Sequence, residues 1–248
     1  MDRRKTMIAD TKKIQDHKKT LMIAHRGASG IEPENTVSAF IAAANRSYYG
    51  IETDVHKTKD GKYIITHDDN AKRVTGVDTV IEETDFDTLR ALNIFDKEGR
   101  GRCDLYMPTL EEYITICKRY GKVAVLELKN EFEEADIFEI CEIIDSLGYL
   151  DGTIFISFAI NNLYYVKKKY PNQAAQFLIH KNLPEDLAEQ LASHALDLDV
   201  YYKEATKELI DKCHAVGVKV NVWTVDELCD AEALIERGID FITSNIIE

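Results

Sequence analysis

The feature that most constrains the fold is a regular alternation of short apolar segments with stretches of helical periodicity. Nine segments of five to seven residues, rich in β-branched side chains, are candidate strands: 21–25, 51–55, 62–66, 123–128, 153–158, 175–179, 196–200, 218–224 and 239–243. The intervening stretches with amphipathic helical spacing are 36–46, 109–119, 132–147, 160–170, 185–193, 204–215 and 226–236. Repeated strand and helix units predict parallel strands with helices outside them. The pattern is therefore typical of an α/β fold, either a (β/α)8 barrel or a doubly wound sheet.

The candidate strands exceed the eight places of a barrel by one. The chain has 248 residues, which suits a single barrel of about 250 residues. The best candidate for the extra strand is 62–66, because Asp60-Gly61 just before it is a strong hairpin signal. A two-residue loop at Asp60-Gly61 would place Asp54 directly opposite His67. If 62–66 is instead a parallel barrel strand, His67 still ends beside Asp54.

The chain reads as one domain with two additions. Residues 1–20 form a predicted polar N-terminal extension, and residues 21–248 form a single predicted barrel domain. Within that domain, 68–108 lacks a clean strand and holds a short helical stretch at 85–92 and a Gly/Arg-rich loop at 99–102. We expect this segment to be an insertion that caps the barrel mouth.

Charge and cysteine content limit the possible partners and compartments. The net charge of −13 disfavours nucleic acid and anionic membrane surfaces as partners. The first twenty residues lack the apolar core of a signal peptide, and no apolar run reaches the ~18 residues that would support stable membrane insertion. The odd cysteine count, without a CxxC pair, argues against a disulfide framework and a zinc-thiolate site: Cys103, Cys117, Cys141, Cys213 and Cys229. A cytoplasmic location is the expectation.

Ionisable residues gather at the carboxyl ends of the early candidate strands, where a barrel places its active site. In chain order they are His25, Arg26, Glu52, Asp54, His67, Glu127 and Lys129. Side chains alternate along a strand, so Glu52 and Asp54 point to the same face. Adjacent carboxylates repel each other unless a cation or a proton intervenes. With Glu127 they make an all-oxygen donor set, which suits Mg²⁺ or Ca²⁺ better than zinc or copper.

The remaining members of this group suit the chemistry of a phosphate ester. The histidines His25 and His67 can transfer protons near neutral pH. Arg26 can bind a phosphate bidentately, and Lys129 supplies a point charge. A metal, two cations and two proton-transfer groups together indicate phosphodiester hydrolysis.

Several segments resemble the glycerophosphodiester phosphodiesterase family of the PLC-like phosphodiesterase superfamily, in family order from residue 21 onward. They are IAHRGASGIEPENTVSAF at 23–40, IETDVHKTKDGKYIITHDD at 51–69, LELK at 126–129, ISF at 156–158, NVWTVD at 221–226 and GIDFITSN at 238–245. The first two strings are highly specific. One departure is Thr243-Ser244-Asn245, where the family often has Thr-Asp and a nearby proline, and it affects only local loop structure.

The resemblance implies a fold, a reaction and residue roles. The fold would be a TIM-type (β/α)8 barrel with a small insertion after the third strand segment. The implied general acid and base are His25 and His67. The implied metal ligands are Glu52, Asp54 and Glu127. The implied phosphate or substrate contacts are Arg26, Lys129 and Trp223, of which Trp223 could equally be a packing residue.

The implied reaction is metal-dependent hydrolysis of a glycerophosphodiester to glycerol phosphate and an alcohol such as choline or ethanolamine. The alternatives are a lysophospholipase D or phospholipase acting on a lipid, and a barrel that binds phosphodiesters without cleaving them. Glu34 and Asn35 are further candidates for the site, although Asn35 could instead cap the helix that follows. The sequence leaves open the headgroup, the choice between Mg²⁺ and Ca²⁺, the division of labour between the histidines and the oligomeric state.

Overall fold

In the computed structural model, which describes residues 10–248, the chain forms a closed barrel of eight parallel strands. The described residues contain nine strands, of which all but the third form the barrel: β1 (Leu21–Ala24), β2 (Gly50–Lys57), β3 (Tyr63–Ile65), β4 (Val123–Leu128), β5 (Thr153–Ser157), β6 (Ala175–Ile179), β7 (Asp197–Tyr201), β8 (Val220–Trp223) and β9 (Phe241–Ser244). The barrel order is β1, β2, β4, β5, β6, β7, β8 and β9, and β9 pairs back onto β1. The predicted α/β barrel is confirmed, and the doubly wound alternative is wrong because β1 pairs with both β2 and β9.

Helices follow the strands and cover the outside of the barrel. They are α1 (Val37–Ala44), α2 (Lys72–Thr75), α3 (Phe86–Arg90), α4 (Leu110–Tyr120), α5 (Glu134–Ser146), α6 (Ile160–Lys169), α7 (Leu187–Ser193), α8 (Lys207–Ala215) and α9 (Leu228–Arg237). Short 3-10 turns occupy Ile81–Glu83, Leu150–Gly152 and Tyr202–Glu204. Helix α4 begins with a capping box, in which Thr109 accepts from the backbone of Glu112 and the Glu112 side chain accepts from the backbone of Thr109. No helix among residues 10–248 combines the length and the apolar character needed to cross a bilayer.

Two apolar layers hold the barrel together. The larger one lies between the strands and the surrounding helices and includes Ile51, Val55 and Leu126. The smaller one fills the barrel interior, and its buried members are Ile23, Val125, Ile154, Ile156, Leu178 and Phe241. Because side chains alternate along each strand, the residues that continue the interior face toward the carboxyl end are available for a site.

Strand β3 lies outside the barrel and pairs antiparallel with β2, as the hairpin signal predicts. The predicted register is wrong by one residue: Val55 pairs with Ile65, so Asp54 lies opposite Thr66 rather than His67. The cause is the turn, in which the backbone of Thr58 bonds to the carbonyl of Lys62 (2.7 Å) around a loop of Lys59–Gly61. Gly61 has a φ of 79°, which is the left-handed residue that closes a three-residue hairpin loop.

The segment between β3 and α4 contains α2, α3 and a separate apolar cluster. The buried members of that cluster are Ile64, Ala71, Ile81, Leu89, Ile94, Leu105 and Met107. The predicted short helical stretch at 85–92 corresponds to α3. That 68–108 caps the barrel mouth stays a prediction.

The predicted polar extension 1–20 lies partly outside the described residues, because the structure describes none of 1–9. Farther along, the backbone of Lys12 bonds to Ile246 (2.8 Å) and accepts from Glu248 (2.9 Å). Ile14 belongs to the main apolar layer. Residues 12–14 therefore run beside the last residues of the barrel.

Candidate active site

The turn after β1 directs His25 and Arg26 into the site. Arg26 has a φ of 54° and Gly27 a φ of 77°, so the chain leaves the strand through left-handed backbone. A Cβ on Gly27 would lie 2.7 Å from a backbone carbon of Ala39. Only glycine lets helix α1 approach this turn so closely.

The ring of His25 is held by its Nδ1. This atom lies 2.8 Å from Oδ1 of Asn245, whose amide nitrogen donates to Asp226 at 2.6 Å. An amide oxygen can only accept, so Nδ1 carries the proton and Nε2 keeps a free lone pair. Burial, together with the charge of Arg26, lowers the pKa of His25 to about 4. His25 is therefore neutral in this arrangement, with Nε2 at 3.9 Å from Oε2 of Glu52.

Three buried carboxylates meet at the carboxyl ends of β2 and β4. Glu52 and Asp54 share the inner face of β2, and Asp54 pairs in register with Glu127 of β4. One oxygen from each of the three lies within 4.8 Å of the others. Burial first, and then the neighbouring carboxylates, raise the pKa of Glu52 well above its ordinary value and that of Glu127 to about 7. The predicted convergence of Glu52, Asp54 and Glu127 is present in the structure.

The donor atoms of this acidic triad fit a hard divalent cation. Oε2 of Glu52 accepts from the backbone of Arg26 (2.8 Å), and Oδ2 of Asp54 accepts from Asn35 (2.8 Å). Oδ1 of Asp54 is buried and has no hydrogen-bond partner among residues 10–248. An unpaired buried carboxylate oxygen is costly unless a cation completes it. All-oxygen ligands at this spacing are those that Mg²⁺ and Ca²⁺ prefer.

Two basic side chains lie against the triad. Nζ of Lys129 donates to Oε1 of Glu127 at 2.8 Å and lies 3.6 Å from Oδ1 of Asp54. Nε of Arg26 lies 3.8 Å from Oδ2 of Asp54 and is itself buried without a hydrogen-bond partner in the described chain. Burial alone would raise the pKa of Asp54, but the charges of Lys129 and Arg26 outweigh it and lower that pKa. The site therefore holds the ionised carboxylate of Asp54 beside two positively charged side chains.

His67 reaches the same cavity from the loop after β3. It lines the cavity together with His25, Arg26, Glu52 and Glu127, although its register differs from the predicted one. Its Nδ1 lies 2.7 Å from Oδ1 of Asp68, which leaves Nε2 free. The structure thus brings both predicted histidines to one cavity.

A charged network connects Arg26 with His67. Glu34 accepts from Arg26 (2.9 Å) and receives two further hydrogen bonds from Arg73, at 2.9 and 2.7 Å. Arg73 also donates twice to Asp68, at 2.6 and 3.1 Å. We call Arg26, Glu34, Arg73, Asp68 and His67 the Arg73 network. Through it, a residue of α2 holds groups on both sides of the cavity.

Asn35 supports the triad rather than capping a helix. Its side chain donates to Asp54 and accepts from Thr53 at 2.7 Å. Thr36 is the residue that caps α1, where its side chain accepts from Ala39. The cap interpretation of Asn35 is therefore wrong, and its place at the site stays a prediction that its contact with Asp54 supports. Its φ of 53° is a conformation that asparagine tolerates better than most residues.

The opposite half of the barrel mouth is aromatic. Trp223 lies 5.6 Å from Phe158, 5.8 Å from Tyr201 and 5.9 Å from His180 between ring centroids. We call these four residues the aromatic arc. They follow or end β5, β6, β7 and β8, and Phe158 is 47% exposed. Of the four, only Trp223 is among the predicted site residues.

Asp199 of β7 is a further cavity residue that is absent from the predicted site. Its side chain is 2% exposed and lines the same cavity as Trp223. Burial, with the charge of Glu127, raises the pKa of Asp199 well above its ordinary value. A signal was present: in the strand sequence LDLDV, Asp199 alternates with Leu198 and Val200, which pack toward the helices. In a closed parallel barrel the other face is the interior, so Asp199 points inward.

An eight-stranded parallel barrel with carboxylate, basic and histidine side chains at the carboxyl ends of its strands has the arrangement of an α/β-barrel enzyme, whose active site lies at that end. The model of the glycerophosphoryl diester phosphodiesterase family matches residues 25–248. The chain belongs to this family.

Individual relatives cover nearly the whole chain. A glycerophosphodiester phosphodiesterase from Caldanaerobacter subterraneus subsp. tengcongensis is 31% identical over 92% of this chain and 94% of its own. Among solved structures, an Oleispira antarctica phosphodiesterase in complex with the product sn-glycerol-3-phosphate has a TM-score of 0.83 and 28% identity, covering 91% of this chain and 93% of that one. A glycerophosphodiester phosphodiesterase from Thermotoga maritima has a TM-score of 0.75 and 26% identity, covering 93% and 96%.

Proposed function

We propose that this protein hydrolyses glycerophosphodiesters to glycerol phosphate and an alcohol, and that it requires a divalent metal ion. One observation carries the proposal: the acidic triad, two basic side chains and two histidines converge at one barrel mouth. The family membership and the product complex of the Oleispira antarctica relative support the same reaction.

The acidic triad would hold the ion, Mg²⁺ or Ca²⁺. When bound, such an ion neutralises charge on phosphoryl oxygens and lowers the pKa of an attacking oxygen. Arg26 and Lys129 lie beside the triad and would orient the phosphodiester. A phosphate bound near the triad would lie close to the positive charges of both side chains. These charges would stabilise the negative charge that develops on the phosphate in the transition state.

His25 and His67 would carry the protons. Each has its Nδ1 engaged, by Asn245 and by Asp68, so each presents Nε2. One ring, neutral at Nε2, takes the proton of the attacking oxygen, and the other, in its imidazolium form with a proton on Nε2, gives that proton to the leaving oxygen. The attacking oxygen belongs either to water or to the glycerol moiety of the substrate, in which case a cyclic phosphate forms first. Both routes use the same pair of histidines.

Turnover of glycerophosphocholine, with and without chelator, tests this function. We expect EDTA to abolish release of glycerol phosphate and Mg²⁺ or Ca²⁺ to restore it. His25→Ala and His67→Ala should each lower kcat at least a hundredfold, since general acid or base catalysis contributes about 10²–10⁴-fold. His194→Ala, at the exposed histidine that ends α7 and is absent from the cavity lining, is the matched control. Activity that survives both EDTA and His25→Ala would contradict the mechanism.

Thermal unfolding tests the metal site without reference to activity. An ion at 100 times its Kd stabilises the folded state by about 2.7 kcal/mol. For a chain of this size that corresponds to a rise in Tm of roughly 5–10 °C. Asp54→Asn should abolish the rise, because it replaces a carboxylate of the acidic triad with a neutral amide. A variant that keeps the full rise would show that the ion binds elsewhere.

A lipid phosphodiesterase of the lysophospholipase D type is the second candidate. The observation that favours it is the exposed ring of Phe158 beside Trp223, which could contact an acyl chain. Comparing kcat/KM for glycerophosphocholine and its acylated form separates the two functions. We also propose a cytoplasmic location, supported by the odd number of cysteines and by three buried free thiols, Cys117, Cys141 and Cys213.

A further inference from the structure

The barrel mouth is divided into two halves of opposite chemistry. The acidic groups of the proposed reaction lie on β2 and β4, and its histidine and basic groups lie on the segments that follow β1, β3 and β4. The strands β5 to β8 carry the aromatic arc and, one layer deeper, Asp199. Basic side chains lie only on the first half of the lining that the structure describes, in Arg26 and Lys129. A substrate whose phosphate lies at the basic half therefore extends one of its ester arms toward the arc.

Asp199 is a buried carboxyl group that faces this cavity without a counter-ion. It pairs in register with Leu178 and Asn221, in the middle of the barrel wall. Its Oδ1 is buried and has no hydrogen-bond partner among residues 10–248. Buried carboxyl groups are normally paired or hydrogen-bonded. An unpaired oxygen that faces a cavity indicates that a ligand supplies the missing donor or positive charge.

The aromatic arc stands directly above Asp199 on the same wall. Tyr201 follows Asp199 by two residues, so both point inward, and Tyr201 pairs in register with Trp223. Trp223 meets Phe158 edge to face, at an interplanar angle of 87°. The face of an aromatic ring attracts a cation, and the face of tryptophan does so most strongly. His180 lies 4.7 Å from Tyr201 and extends the arc toward β6.

We propose that Asp199 and the aromatic arc bind the positively charged nitrogen of the leaving alcohol and so make the enzyme prefer zwitterionic glycerophosphodiesters. The proposal rests on the function proposed above and adds the residues that recognise the headgroup, which is the alcohol that leaves. A cation at this position favours the ionised form of Asp199, which burial otherwise disfavours, so that the resulting carboxylate pairs with the cationic nitrogen. The rings contact the methyl or methylene groups of the headgroup. An uncharged headgroup such as glycerol gains neither interaction.

Substrate selectivity of the metal-loaded enzyme tests this subsite. We expect wild-type kcat/KM for glycerophosphoethanolamine and glycerophosphocholine to exceed that for glycerophosphoglycerol at least tenfold. Asp199→Asn should lower kcat/KM for the two substrates with a cationic headgroup about tenfold. The kcat/KM for glycerophosphoglycerol should stay within twofold of the wild-type value. Trp223→Leu should lower kcat/KM for glycerophosphocholine about fivefold to tenfold, in line with the strength of a partly desolvated cation–π contact. Asp197→Asn is the matched control, because Asp197 lies on the same strand but bonds to the backbone of Lys219.

Fluorescence provides a readout that does not depend on turnover. Trp223 is the sole tryptophan of the 248-residue chain, so its emission reports directly on the arc. We expect choline to change the emission at millimolar concentration, and 3,3-dimethyl-1-butanol, its uncharged isostere, to leave it unchanged. Asp199→Asn should weaken the choline response at least fivefold.

The outcomes separate the two proposals. Equal responses to choline and its isostere would overturn the subsite, as would equal losses on all three substrates in Asp199→Asn. A wild-type enzyme that turns over all three substrates equally would overturn the subsite and leave the proposed function standing. No turnover of any substrate, with a choline-specific response intact, would refute the proposed function and support the subsite.

Discussion

Arg73 offers the sharpest test of how the site is held together. Its guanidinium makes two hydrogen bonds to Glu34 and two to Asp68, and these carboxylates in turn contact Arg26 and His67. Arg73→Met keeps most of the side-chain volume and removes all four hydrogen bonds. We expect Arg26 and His67 to lose their fixed orientation together, although Arg73 itself lies outside the cavity lining described above.

The size of the effect follows from the exposure of Arg73. Its side chain is 49% exposed, so each of the two ion pairs contributes nearer the ~0.5–1 kcal/mol of a surface pair than the value of a buried one. Two pairs with good bidentate geometry amount to about 1–2 kcal/mol. If that free energy orients the catalytic groups, its loss lowers kcat/KM by roughly fivefold to thirtyfold, since about 1.4 kcal/mol corresponds to a factor of ten.

The assay measures kcat and KM together with thermal unfolding, so that misfolding is separated from misorientation. Arg102→Met is the control, because Arg102 belongs to the same segment, is 41% exposed, and pairs with Asp104 and Glu32 away from the histidines. Added guanidinium should partly restore the activity of Arg73→Ala. The reasoning is refuted if Arg73→Met loses no more activity than Arg102→Met, or if guanidinium has no effect on Arg73→Ala.

Three further predictions concern stability and are measured by denaturant unfolding. Gly27→Ala should destabilise the fold by about 2 kcal/mol or more, whereas Gly99→Ala, at the same φ of 77° but with nothing within 4 Å, should cost only about 1 kcal/mol; equal losses would contradict the proposed clash with α1. Thr109→Ala should cost about 1 kcal/mol by removing the cap of α4, and no loss would show that the capping box is redundant. Burial raises the pKa of Glu34, but hydrogen bonds from Arg73 more than offset it and bring that pKa to about 2. The ionised Glu34 therefore contributes its full stabilisation of the fold above the unfolded pKa of about 4.5, and this contribution is lost as pH falls toward 2. Glu34→Gln should make the free energy of unfolding less dependent on pH between these two values, and an unchanged pH dependence would contradict this assignment.

The barrel was predictable because its signal is repeated many times along the chain. Each strand is a short apolar run, and each helix restarts the 3.6-residue period, so an error in one unit does not change the class of fold. That Glu52 and Asp54 share one face of β2 was equally predictable, because it follows from the two-residue period of a strand.

The hairpin register shows where local sequence stops being sufficient. Asp60-Gly61 fits both a two-residue loop and the end of a three-residue loop, and the two differ by one residue in every pair they set. The backbone of Gly61 decides between them, and its φ is not visible in the sequence. His67 reaches the cavity all the same, because the chain has left the β2–β3 pairing by that point.

Asn35 and Asp199 illustrate a different limit. Asparagine before a helix is usually a cap, and the competing contact with Asp54 depends on the closeness of the β1–α1 turn to β2. Asp199 can be assigned to the cavity only once the barrel is known to close, because closure makes the second face of β7 part of the barrel interior. Both residues gain their significance from tertiary structure rather than from their neighbours in sequence.

The division of the barrel mouth has a consequence for how such enzymes diversify. The residues that we propose to bind the phosphate lie within 25–129, and those that we propose to face the leaving group lie within 158–223. The two tasks are thus encoded in separate, contiguous stretches of the chain. Mutation or recombination in the later stretch can alter the accepted alcohol while the reaction itself is inherited unchanged. A chimera that joins residues 10–150 of this chain to the corresponding second half of a relative should keep the chemistry and take its headgroup preference from the donor.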